Sequence, residues 1–275
     1  MSNPLDDTTS RDEQLRAMFD ALPAITIHGV VDASGPGASQ IPPATNWSWT
    51  LDLIAWRIPG QPIQNSPLVV SKQVSDEELN ALQAAIDAES LIAFEAKLCE
   101  RSPYGDARAQ LLRVLDQPVD DALEAVLHQS CEPIEMTDPV IGTLVFDRSA
   151  QCFVAQALWL GEPIDISVYP DDDGAATNAL QTARTLFGAM EVWTDRVNKY
   201  AVAELLENKN DNWLDEDEEP ISGEEFIDQM QLESINVYPD GTFDFCLDDG
   251  DLFWGHTIQV SGSLSDGPSS ADIVE

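Results

Sequence analysis

The nine residues Cys131–Pro139 constrain this chain more than any other stretch, because they carry two prolines and no periodicity between two runs of alternating strands. Proline lacks an amide donor and fixes its own backbone, so neither a helix nor a central strand is expected to run through such a segment. With 275 residues in all, the chain is long enough for two cores. The expected organisation is an N-terminal β-rich domain over residues 1–130, a linker over 131–139, and a C-terminal α+β domain over 140–273.

Upstream of the linker, Ser10 and Glu13 have the spacing of a capping box, followed by Leu15, Met18, Phe19 and Leu22 at helical intervals. A first strand is predicted over Ala24–Val31. The Gly/Pro-rich stretch Ser34–Thr45 reads as a loop. From Trp47 to Ile58, apolar Trp47, Trp49, Leu51 and Leu53 alternate with polar neighbours, which predicts a half-buried strand. Leu68–Gln73 is a third strand, and Ser75 with Glu78 opens a helix bearing Leu79, Leu82 and Ile86. Strands over Leu91–Glu100 and Arg108–Leu115 complete the order strand, strand, strand, helix, strand, strand. That is the order of an OB-type barrel. A helix over Val119–Gln129 leads to the linker.

Downstream, Val140–Phe146, Cys152–Trp159 and Pro163–Tyr169 read as a meander. Apolar residues from Leu180 to Leu205 then recur at helical spacing, with Gly188 as a dividing point. Ser222 and Glu225 cap a short helix. Leu232–Tyr238 and Thr242–Leu247 form a hairpin over Pro239-Asp240-Gly241, and a strand over Thr257–Leu264 precedes a Gly/Ser/Asp-rich tail expected to be loose. The predicted class is α+β: a small β-barrel-like, OB-type domain followed by an antiparallel sheet with covering helices.

Charge limits the function. The chain holds 13 Lys+Arg against 50 Asp+Glu, a formal net charge of −37, yet 43% of its residues are hydrophobic. It can bury a core, so it is no disordered acidic tail. Phosphate backbones and anionic bilayers need clustered cations, so neither nucleic acid nor a membrane is an expected partner. The N-terminus has no basic and apolar leader pattern. Cys99, Cys131, Cys152 and Cys246 form no CxxC. Reduced thiols in a cytoplasmic protein are therefore expected.

Catalytic signatures are sparse. There is no G-x-S-x-G and no G-x-x-x-x-G-K-[ST], and His28, His128 and His256 stand far from any cysteine in sequence. Neither Asp171–Gly174 nor Asp248–Asp251 has calcium-loop spacing. One local cluster could hold a divalent cation for hydrolysis: Asp244, Asp248, Asp249, Asp251 and His256. The competing interpretation is a polar turn in which Leu252, Phe253 and Trp254 pack partly into the core and His256 is hydrogen-bonded. No catalytic residue and no cofactor is expected.

Several motifs of the second half resemble those of bacterial proteins grouped as domain of unknown function 2262. They are Ile141–Leu144 with Asp147-Arg148, Leu158-Trp159, Tyr200-Ala201-Val202 with Leu205-Leu206, Asn210 to Trp213, Leu232–Ile235, and above all Asp248–His256. The resemblance covers about residues 135–273 and implies lineage, with no activity or catalytic residue to carry over. Acidic bacterial proteins of this kind often look like immunity proteins, which neutralise a toxin by binding it. Between Glu204 and Asp251 lie many acids and a single base, Lys209. The expected partner is a basic protein, foremost a cognate toxin such as a nuclease. The expected contact residues are Trp213, Asp215, Glu216, Asp217, Glu218, Glu219, Asp248, Asp249, Asp251 and Trp254. The alternatives are the metal-dependent hydrolase and a general regulatory or accessory protein.

Overall fold

A computed structural model describes residues 4–42, 44–172, 174–214 and 219–274, with side chains from residue 11 onward. The chain divides into two compact units, Met1–Glu132 and Pro133–Glu275.

In the first unit, α1 (Pro4–Ala21) precedes β1 (Ala24–Ser39), β2 (Trp47–Arg57), β3 (Leu68–Val74), α2 (Asp76–Ala85), β4 (Leu91–Cys99), β5 (Ala107–Val114) and α3 (Asp121–Ser130). The strands close a barrel in the order β1-β2-β3-β5-β4, with β4 returning to β1. Every pair is antiparallel except β3 with β5. This is the OB-type arrangement the element order predicts. Alternation sets its core: Trp49, Leu51 and Leu53 of β2 point inward with Ile27, Leu68, Val70, Phe94 and Leu111. Ser75 caps α2 by accepting the Glu78 amide. Glu78 does not return the favour, because its carboxylate is held by Lys72 at 2.6 Å.

Two expectations fail in this unit. Ser10 lies within α1, which begins earlier, so it does not mark the start of the helix. The stretch Ser34–Ser39 is strand rather than loop: register shifts after Val30 and Val31 absorb the extra residues, and pairing resumes at Pro36 with Leu51. Gly35, at φ 65°, makes that bulge possible. Beyond the bulge β1 pairs with β2 alone, so the missing amide of Pro36 breaks no ladder. The segment Cys131–Pro139 holds the boundary between the two units, and it also contains β6 (Glu135–Asp138), a strand at one edge of the second sheet. Its two prolines, Pro133 and Pro139, flank that strand without interrupting it.

The second unit continues with β7 (Gly142–Asp147), β8 (Cys152–Trp159), β9 (Glu162–Val168), α4 (Thr177–Phe187), α5 (Met190–Asn212), α6 (Gly223–Gln229), β10 (Gln231–Val237), β11 (Thr242–Asp248), β12 (Thr257–Ser263) and β13 (Gly267–Val274). They form one sheet of eight strands ordered β13-β12-β11-β10-β9-β8-β7-β6, antiparallel except where β10 meets β9. The helical segment divides at Gly188 as expected. Ala179, Ala183 and Leu186 of α4 and Trp193, Val197, Ala201 and Leu205 of α5 join Ile166, Val168, Ile235, Val237, Phe243, Phe245 and Val260 in one core. The tail expected to be loose is instead β13, paired with β12 from Gly267 to Val274. Its Ser-rich sequence hides the strand. Gly262 shows the pairing's closeness, since a Cβ there would sit 2.5 Å from the Gly267 carbonyl.

Candidate functional site: the aromatic and acidic loop after β11

Sheet register assembles the site. In β10 and β9 Ser234 faces Asp165, and in β10 and β11 Gln231 faces Asp248. The β8–β9 turn at Leu160-Gly161, the start of β10 and the loop from Asp249 to His256 therefore lie at one end of the sheet. The β6–β7 turn at Val140 lies there too, because β7 runs antiparallel to β8.

The loop from Asp249 to His256 is organised around one carboxylate. Asp249 is 1% exposed and accepts amide hydrogens from Asp251 at 3.1 Å, Phe253 at 2.6 Å and Gly255 at 3.2 Å. Three backbone donors on one anion wind the chain into a tight coil, forcing left-handed φ at Gly250, Asp251, Trp254 and Gly255. Gly250 also passes so close to α6 that a Cβ would lie 2.3 Å from the Gln229 carbonyl oxygen. Leu252 and Phe253 fill the core beneath. Trp254 does not follow them: it is 61% exposed at φ 60°, an uncommon conformation for a bulky residue. The expectation that Trp254 packs into the core is thus corrected. His256 is hydrogen-bonded as expected, its Nδ1 lying 2.6 Å from the Phe253 carbonyl.

Trp213 supports this display. It closes α5, stands 4.9 Å from Trp254 and 5.5 Å from Phe253 between ring centroids, and meets the His256 ring at 5.6 Å, all edge to face. Lys209, 2% exposed, donates its Nζ to the Trp213 carbonyl at 2.8 Å. A cation suits this position, because carbonyls left open at a helix C-terminus carry partial negative charge. Asn210 grips Ile221 through both its amide groups, at 2.9 and 3.0 Å, so Trp213 and Ile221 are both held by the last turns of α5. In the sequence Lys209 stands out only as a lone base among acids. Its isolation was the available signal that it serves a fixed internal task.

The expected contact residues divide as follows. Trp213 and Trp254 touch one another, while Asp248, Asp251 and Glu219 are exposed. Asp249 is withdrawn from any partner by its burial and its three amides, so its place among the contact residues is corrected. Asp215, Glu216, Asp217 and Glu218 lie outside the described residues.

The metal cluster fares differently from the aromatic one. Asp244 lies within β11, four residues before Asp248, where it accepts from the Tyr238 hydroxyl at 2.7 Å and the Ser261 hydroxyl at 2.5 Å. Burial, then the Asp244 carboxylate beside it, pushes the Tyr238 hydroxyl well above its ordinary range. Among the described residues, no group of three or more His, Cys, Asp or Glu side chains is placed to hold a metal ion. The cysteines form no disulfide, and burial pushes the Cys152 and Cys246 thiols up, away from the reactive thiolate.

The apolar neighbours of the loop carry no local sequence signal. Leu158 (64% exposed) and Leu160 (50%) stand at the same end of the sheet, with exposed Val140. With Pro163 and Gln156, Val140 and Leu158 line an open depression of about 420 Å³. Leu160 adopts φ 53° as the first residue of a two-residue hairpin turn, where Asn is the favoured type. Its left-handed backbone was legible only once the turn was known to hold two residues.

Fold and site together define a two-unit α+β protein, an OB-type barrel followed by a helix-covered sheet that presents aromatic, aliphatic and acidic side chains at one end. Residues 138–273 match the family described as "Uncharacterized protein conserved in bacteria (DUF2262)", and residues 11–130 match a "Domain of unknown function (DUF7021)". The C-terminal unit is thus similar to that first family over 138–273, the part of the chain that holds the Asp248–His256 run. No curated protein and no solved structure matches the chain. Among the described residues, no helix is long and apolar enough to cross a membrane.

Proposed function

We propose that this is a cytoplasmic immunity protein, which neutralises a cognate basic toxin by binding it through the loop end of its C-terminal sheet. The observation that carries this reading is Trp254: a large aromatic side chain held outside the core, in a disfavoured backbone conformation, by a buried carboxylate. Strained exposed residues are retained where the surroundings over-determine them, and such places are commonly ligand clamps. Interface anchors are typically aromatic, with charged residues around them. Here the surrounding charges are negative, within a chain of formal charge −37. That field speeds encounter with a cationic surface, including a nuclease's substrate-binding face, and slows encounter with anions.

In this role the protein acts by binding, without catalysis or cofactor. Its carboxylates at Asp244 and Asp249 are committed to structural hydrogen bonds, which supports binding over hydrolysis. The test is co-expression with the product of the neighbouring gene. The two should co-purify, and the chain should relieve that product's toxicity, with Trp254→Ala weakening both. Failure to bind a basic neighbour would remove the immunity role.

A further inference from the structure

The proposed interface leaves open what the partner places on Trp254. Two features of the loop bear on the answer. Trp254 presents an exposed indole fixed by its contact with Trp213, and the same coil carries exposed Asp248 and Asp251. A ring and carboxylates so combined suit a planar cation better than an apolar group. An aliphatic side chain would gain from the ring and leave unanswered Asp251 and the second oxygen of Asp248, whose first accepts the Gly250 amide at 2.8 Å. Lysine would meet the carboxylates as a strongly hydrated point charge. Arginine can do both, stacking its weakly hydrated guanidinium on the ring while its fork meets an acid.

The N-terminal unit shows the contact fully made. Arg108 lies 4.0 Å from the centroid of the Tyr104 ring and simultaneously binds both oxygens of Asp106, at 2.9 and 3.0 Å. Trp254 and Asp251 place the same two residue types, an aromatic ring and a carboxylate, exposed on one loop. Within the second unit, Arg196 lies 5.0 Å from the Trp193 ring.

We propose that Trp254, with Asp248 and Asp251, forms a receptor for an arginine side chain of the partner protein. The proposal rests on the binding role argued above and specifies its central contact. The backbone around Asp249 presets the receptor, so little ordering is needed when the guanidinium arrives.

Two synthetic peptides serve as probes, one alternating Arg and Leu, the other alternating Lys and Leu, titrated against the full chain by calorimetry near physiological salt. Their charges are equal, so the overall field attracts them equally. The arginine peptide should bind about tenfold more tightly, the upper part of what a desolvated cation–π contact supports. Trp254→Ala should abolish that preference while leaving the weaker charge attraction. Trp254→Phe should restore part of it, and Asp251→Asn should reduce it. Equal affinities in the wild-type chain, no binding of either peptide, or a preference that survives Trp254→Ala would overturn the receptor. Toxin neutralisation separates the two readings. An arginine preference without neutralisation removes the immunity role and keeps the receptor, whereas neutralisation without the preference does the reverse.

Discussion

Asp120 in the barrel unit and Asp249 in the sheet unit are both buried carboxylates, yet their partners differ in kind. Asp120 caps α3 by accepting the Leu123 amide at 3.2 Å, and it also binds Arg57 of β2, with Nε at 2.7 Å, and His28 of β1 at 3.3 Å. Its hydrogen bonds join a helix to two strands. Asp249 is met by amides of its own loop. The first arrangement fastens separate elements together; the second shapes a segment a few residues long. A fastening can be weakened without moving a surface, whereas a shaping carboxylate is inseparable from the surface it creates. Asp120 therefore holds separate elements together, whereas Asp249 fixes the shape of one exposed loop.

The largest effect is expected at the loop. Asp249→Ala strands three amides whose geometry depends on it, and should cost about 3 kcal/mol, since hydrogen bonds to a charged group are each worth about 1.5–3 kcal/mol and part of the loss is recovered by water. Gly250→Ala should be comparably harmful, with its Cβ forced against the Gln229 carbonyl. Urea midpoints measure both. Either variant should also shift Trp254 emission and alter amide exchange between residues 249 and 256. A stable Asp249→Ala chain with unchanged exchange there would erase the proposed difference.

Asp120→Ala should cost about 2 kcal/mol, from the lost cap and a partly exposed Arg57 left without its partner. Hydrogen exchange should accelerate in α3, Asp121–Ser130, and leave the 249–256 loop unaffected. Faster exchange in that loop would mean that the two carboxylates are not separable in this way.

Acid sharpens the comparison. Burial pushes the Asp120 carboxyl up, but Arg57, the Leu123 amide and His28 together outweigh it and hold the group below its usual 3.8. Asp138, at the end of β6, is likewise raised by burial and brought below 3.8 by the Val140 amide, Arg184 and the Ile141 amide. A depressed carboxyl contributes stability that is complete above its unfolded value and is lost as pH falls through its folded value. Both units should therefore weaken as pH drops below about 4, and Asp120→Asn should flatten the slope reported by α3 exchange. An unchanged slope would contradict that assignment.

The smallest effect has the opposite sign. Leu160→Asn places the favoured residue in a two-residue hairpin turn and should stabilise the chain by about 0.5–1 kcal/mol. If the apolar end of the sheet contributes to binding, the same substitution should weaken partner affinity. Higher stability with unaltered affinity would confine the interface to the loop after β11.

What sequence could show depended on how strongly each element announces itself. The barrel order was legible because Trp47–Leu53 alternates clearly, because Leu68–Val70 and Leu91–Phe94 are short apolar runs of strand length, and because Ser75 marks its helix. β13 was hidden, since Gly267-Pro-Ser-Ser-Ala-Asp has the composition of a loop and becomes strand through its pairing with β12. The bulge in β1 was hidden for a similar reason: glycine and proline ordinarily end strands, and here they bend one. At the candidate site, the Asp248–His256 run stood out by its acids and aromatics. Which acid would turn inward did not, because Asp248, Asp249 and Asp251 are chemically alike and only the coil's geometry separates them. The aliphatic group at Val140, Leu158 and Leu160 depends on the register of four strands, which local pattern does not determine.

The central claim is that an acidic, aromatic end of the C-terminal sheet captures a basic protein. Stopped-flow association with the neighbouring gene's product, measured across a salt series, tests it most directly. The wild-type rate should fall steeply with salt, because exposed charges lose their attraction beyond a Debye length of about 8 Å at physiological ionic strength. Replacing Asp215, Glu216, Asp217, Glu218 and Glu219 by neutral residues should slow association, whereas Trp254→Ala should mainly speed dissociation. An association rate indifferent to salt and to the neutralised run, with dissociation unchanged by Trp254→Ala, would contradict the account.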